Sequence, residues 1–149
     1  MKCASFVLTI LCLFLLTGQA HADFQTFGSA DAKFKVDVPQ GWKATPNDGG
    51  AQLTAPDGAS SLSIQIQPRG DKTAKQLAEL IGEQMKNSGA KIVNIEEENK
   101  DQAILYLEVE GTRVATMIHV NGDKFMAITM AGNDSETMKK IINSLDDAK

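Results

Sequence analysis

The stretch spanning residues 102–131 constrains this chain most. It runs AILYLEVEG, then TRVATMIHV, then NGDKFMAITMA, and predicts three consecutive antiparallel strands. Asn121-Gly122 at its centre tolerates the positive φ angles of a type I′ turn. With those two residues as the loop, Val120 pairs with Asp123, His119 with Lys124, Ile118 with Phe125 and Met117 with Met126. Side chains alternate across a strand, so Val114, Thr116, Ile118, Phe125 and Ala127 share one face, and Ala115, Met117, Met126, Ile128 and Met130 share the other. Both faces are largely apolar, so a cover is expected on each.

Residues 1–22 read as a cleaved secretory signal rather than part of the fold. Lys2 precedes an apolar run from Phe6 to Leu16, and Ala20-His21-Ala22 has the small-x-small form of a signal-peptidase site. The run is shorter than the about 20 residues that a spanning helix needs. Both cysteines, Cys3 and Cys12, lie in this segment. The remaining residues, 23–149, form one expected domain without a disulfide, long enough to bury roughly two thirds of its unfolded surface. Lys2 is the only charge removed, which leaves 14 of the 15 basic residues against 19 acidic ones, a net of −5. That balance speaks against nucleic acid as a partner.

Residues 23–33 are small and polar and read as a loose lead-in. The first expected strand is Phe34-Lys35-Val36-Asp37-Val38, ended by Pro39. Residues 46–50 read as a loop, followed by short strands at 52–55 and 61–68. Arg69-Gly70-Asp71 reads as a turn before a helix, which Thr73 and Gln76 open with a capping box. Leu77, Leu80, Ile81 and Met85 form its apolar stripe and Gly89 stops it. Residues 90–98 read as a strand, leading into Glu96-Glu97-Glu98-Asn99-Lys100-Asp101. The acidic Glu96-Glu97-Glu98 run could hold a hard cation, but it lacks the glycine of a calcium loop, and a solvated hairpin turn is the stronger reading. Asn133 or Asp134 caps a last helix, buried through Met138, Ile141, Ile142 and Leu145. The expectation is an α+β protein, an antiparallel sheet of six to seven strands sandwiched between two helices.

The opening Phe34-x-Val36-x-Val38-Pro39-x-Gly41-Trp42, and the closing helix with its late Ser144-Leu145 pair, resemble the PsbP-like superfamily. That group includes PsbP, the Ran-binding Mog protein of yeast and DcrB-type exported bacterial proteins. The resemblance covers nearly the whole chain after the signal and implies an α/β/α sandwich with an antiparallel sheet; its members serve as accessory or binding proteins, and it implies no activity. It carries over no functional residue, because the matching positions are those of the fold.

Chemistry-bearing residues are few. His119 is the only histidine outside the signal, which excludes a histidine-rich metal site, and no Gly-x-Ser-x-Gly elbow exists. Glu108 and Glu110 fall on one face of one strand, where sheet alternation explains them. Met117, Met126 and Met130 are soft donors that could hold Cu(I), although methionines of a covered core fall at the same positions. The candidate ligand- or partner-binding residues are Trp42 with Gly41, Tyr106 and His119. The expected function is an exported, non-catalytic accessory or binding protein. It would act as a monomer with no cofactor and no metal, on an unidentified protein or small molecule, with no nucleic-acid partner and no membrane span after cleavage. The alternatives are a small exported hydrolase using His119 and a carboxylate, or a Cu(I) or calcium carrier.

Overall fold

The computed structural model describes residues 23–147. The expected signal segment and both cysteines lie outside the described residues. In chain order the elements are strands β1 (Asp23–Ser29), β2 (Ala32–Val38), β3 (Lys43–Asn47), β4 (Gly50–Thr54) and β5 (Ser61–Pro68), and helix α1 (Ala74–Asn87). They continue with β6 (Lys91–Asn99), β7 (Gln102–Val109), β8 (Thr112–Asn121), β9 (Lys124–Ala131), helix α2 (Ser135–Asn143) and the two-residue β10 (Asp146–Asp147). Seven strands form one sheet in the order β3-β4-β5-β9-β8-β7-β6, and β1-β2-β10 form a second, small sheet. Every strand pair is antiparallel.

The sandwich is as expected in class, with the helices on opposite faces of the large sheet. Helix α1 lies over β6, β7 and β8, where Leu77 and Ala78 join Leu105, Leu107, Ile118 and Phe125 in one core. Thr73 caps it through the full capping box with Gln76. At its far end the Gly89 and Ala90 amides donate to Lys86 and Met85 carbonyls, each at 3.0 Å, with Gly89 at φ +96, which is a Schellman stop. On the other face Met138 and Ile141 of α2 pack with Phe34, Val36, Leu62, Ile64 and Ile128 in a second core. Asp134 is the N-cap of α2, and the β2 strand supplies much of that cover.

Five expectations are corrected. Residues 23–33 are not a loose lead-in: β1 pairs along its full length with β2, and Phe27 stacks on Phe34 with ring centroids 6.0 Å apart. The strand from Phe34 to Val38 leaves the large sheet altogether and roofs it, and its place is taken by β3, which includes Pro46 within residues expected as loop. Proline fits there because β3 is an edge strand. The acidic run belongs to edge strand β6, with Lys100 and Asp101 as the turn. The fourth correction concerns the hairpin. Asn121 pairs with Lys124, Val120 with Phe125, His119 with Met126 and Met117 with Ile128, so the loop is Gly122-Asp123. Only Gly122 of the two has a positive φ, +62, the pattern of a type II′ turn with glycine at its first central position. The slip is by two residues, so each side chain keeps its assigned face.

The true type I′ candidate is one hairpin earlier. Glu110 at φ 50 and Gly111 at φ 79 join β7 to β8. Glu110 is thus a turn residue, and the expected same-face strand pair of Glu108 and Glu110 does not exist.

Candidate functional site

The face of the large sheet beneath the small sheet is only half roofed. Over β4, β5 and the middle of β9 it is closed, with Leu53, Leu62, Ile64 and Ile128 buried. Over β8, β7 and β6 the same face carries Met117, Ala115, Ile104 and Tyr106, all partly exposed. A cavity of about 510 Å³ lies there, between edge strand β6 and helix α2. Cross-strand pairing sets its floor: Asn94 opposes Tyr106, Tyr106 opposes Ala115, and Ala115 opposes Met130. Met138 and Ser135 of α2 form one wall, and Val93 and Glu96 of β6 the other.

Val93 reaches that wall because of a β-bulge. The register skips between Ile92 and Asn94, which leaves Val93 unpaired and 57% exposed. A signal for the bulge was present in the sequence. Ile92 and Ile95 both pack under α1, and two residues three apart share a sheet face only when an extra residue intervenes.

The polar groups of the cavity divide into two kinds. The Glu96 carboxylate is already engaged, accepting from Asn94 Nδ2 at 3.1 Å through Oε1 and from the Tyr106 hydroxyl at 3.4 Å through Oε2. Partial burial, then the negative charge of Glu96 and its hydrogen bond, then Glu98, raise the Tyr106 pKa above its ordinary 10.0. The phenol therefore remains a protonated donor at neutral pH. Arg113 differs. It sits directly opposite Glu108 across the β7–β8 pair, yet among the described residues it has neither a salt bridge nor a side-chain hydrogen bond, and it lines the cavity.

The structure brings the four expected site residues to three separate places. Tyr106 is in this cavity. Trp42 and Gly41 are in the turn that carries the chain from β2 to β3: the Trp42 amide donates to the Pro39 carbonyl at 3.0 Å, with Gly41 at φ +84. A Cβ on Gly41 would also come within 3.0 Å of the Pro56 ring. Trp42 is half-buried against the core shared by Phe34 and Leu62. His119 is exposed at the other end of the sheet face, its Nδ1 3.2 Å from Gln102 Nε2. Its cross-strand partner is Met126, not Lys124. It lines a second hollow of about 470 Å³ together with Asp31, Lys33 and Lys124, and Lys124 Nζ donates to the Asp31 carbonyl. Met117, Met126 and Met130 all pack against the roofed core.

Two antiparallel sheets of unequal width with a helix on each side define the class, and the fold is PsbP-like. The solution structure of cyanobacterial PsbP (CyanoP) from Synechocystis sp. PCC 6803 is similar over 87% of this chain and 95% of that one, with a TM-score of 0.60 and 14% sequence identity. At that identity the likeness is one of fold. A crystal structure from Bacteroides thetaiotaomicron VPI-5482 matches 78% of this chain and 45% of its own, at 17% identity and a TM-score of 0.45, too slight a likeness to carry an inference. No protein-family model matches the chain, and no curated protein does.

The resemblance seen in the sequence now has a physical basis. Pro39, Gly41 and Trp42 make the turn between the two sheets. Ser144 ties α2 to the roof, its Oγ accepting from the Asp37 amide at 2.9 Å and donating to the Ile141 carbonyl at 2.6 Å. Among the described residues β10 pairs with β2 at Lys35 and Phe34, so the hydroxyl serves an amide that the short strand does not reach.

Proposed function

We propose that this chain is an exported, non-catalytic binding module whose site is the unroofed half of the large sheet, centred on Tyr106. The observation that carries this reading is the cavity itself. It is concave, mainly apolar, and floored by strands rather than loops, and its about 510 Å³ falls within the range of small-molecule pockets, roughly 300–1,000 Å³. A rigid floor holds contact groups in place without an ordering cost at binding. Export is supported by the apolar run and the Ala20-His21-Ala22 site of the sequence. The sparse chemical inventory supports a binding role over a catalytic one, and the PsbP-like fold is compatible with either.

The test is native mass spectrometry and thermal unfolding of the protein as processed by its host. Met130→Glu places a charge in the cavity floor. The expected result is a co-purifying or added apolar compound that binds the unmodified protein and raises its Tm, with both effects lost in Met130→Glu. An identical ligand profile in the two proteins would contradict this location of the site.

A further inference from the structure

We infer that the cavity over Tyr106 takes a small amphipathic acid, its apolar body on the sheet and its carboxylate on Arg113. The inference rests on the binding reading given above and adds the ligand's chemical class.

Asn94, Glu96, Tyr106, Arg113 and Ser135 are the side chains that bring polar groups to the space. Asn94, Glu96 and Tyr106 are bonded to one another, so Glu96 brings a negative charge whose two oxygens are both occupied. The amide end of α2 points a weak positive potential toward the region, but its own Asp134 carboxylate already accepts from the Thr137 amide at 3.1 Å. Arg113 is left as the lining cation without a side-chain partner among the described residues, although its cross-strand neighbour Glu108 is acidic. A planar guanidinium with free N–H groups matches a carboxylate in bidentate geometry.

The apolar part of the ligand follows from what surrounds that cation. Ala115 and Met130 give a smooth floor, and Met138 and Val93 rise on either side. Val93 is more than half exposed and Ala115, Met130 and Tyr106 partly so, so a bound chain or ring would remove apolar surface from water. Methionine side chains adapt to apolar ligands of varied shape. The Tyr106 ring adds an aromatic surface whose hydroxyl is held by Glu96.

Decanoate and decan-1-ol are the paired probes, because they share an apolar body and differ in charge. Binding is measured by isothermal titration calorimetry at neutral pH, on the unmodified protein, Arg113→Gln and Met130→Glu. Decanoate is expected to bind the unmodified protein about ten-fold more tightly than decan-1-ol. Arg113→Gln should remove that preference, and Met130→Glu should weaken both. A hydrogen bond to a charged group at about 1.5 kcal/mol corresponds to that ten-fold factor. Equal affinities for the two probes, or a preference that survives in Arg113→Gln, would overturn the acid while leaving the apolar site standing. Indifference of both probes to Met130→Glu, or no binding of either, would remove the site itself.

Discussion

Two halves of one sheet face make an instructive contrast. Over β4, β5 and β9, Leu53, Leu62 and Ile64 are fully buried and Ile128 nearly so, because β2 and α2 lie on them. Over β8 and β7, Ile104, Met117, Ala115 and Tyr106 occupy the corresponding positions and remain partly open. Both halves read as apolar alternation. What separates them is the width of the roof: at about 4.8 Å per strand, a three-stranded sheet cannot span a seven-stranded one, even with a helix beside it. The covered half supplies stability, and the uncovered half is left as a surface on which something else can sit.

Truncations should therefore cost very different amounts in the two halves. Phe34→Ala removes a fully buried ring from the underside of the roof and should cost about 3–5 kcal/mol. Tyr106→Ala, on the open half, should cost about 1 kcal/mol or less, in line with partly exposed positions. Urea unfolding of both variants checks the pair, and similar losses would break the contrast. Ser60→Ala comes next. Its buried hydroxyl accepts from the amides of Asn133 and Asp134 at 3.1 and 3.0 Å, and orphaning them should cost about 1–3 kcal/mol. The same variant should loosen the start of α2, seen as faster amide hydrogen exchange at Ser135 and Thr137.

Smaller effects sharpen the picture of how the roof is attached. Ser144→Ala breaks the link from α2 to the Asp37 amide and should lower stability by about 0.5–1.5 kcal/mol. Faster exchange at Asp37 is the specific sign. On the open half, Glu110 is held at φ 50, where a side chain longer than asparagine is strained. Glu110→Asn should raise stability by about 0.5–1 kcal/mol. A loss of stability in the urea midpoint would contradict the turn assignment.

Periodicity made six strands of the large sheet, β4 to β9, and the two helices legible, because burial on both faces leaves a strong imprint at 2 and 3.6 residues. It could not tell which strands share a sheet. Phe34, Val36 and Val38 alternate in the same way whether β2 extends the large sheet or roofs it. The hairpin register escaped for a related reason, since a slip by two preserves every face. The clue lay in cross-strand chemistry: the observed register sets Val120 against Phe125, both 6% exposed, where the expected one opposed Val120 to Asp123. Of the residues lining the proposed site, the sequence named Tyr106 among four candidates, while Arg113 and Val93 emerge only from the pairing of β7 with β8 and from the bulge. Trp42, an evident candidate from its loop position, is spent largely on packing.

An amide-resolved NMR titration of the host-processed protein with decanoate tests the half-roofed sheet most directly. The expected shifts gather on Tyr106, Ala115, Met130 and Ser135, with Phe34, Leu62 and the length of α1 unmoved. Shifts centred on α1 or on the residues beneath β2, with Tyr106 and Ala115 silent, would contradict the account.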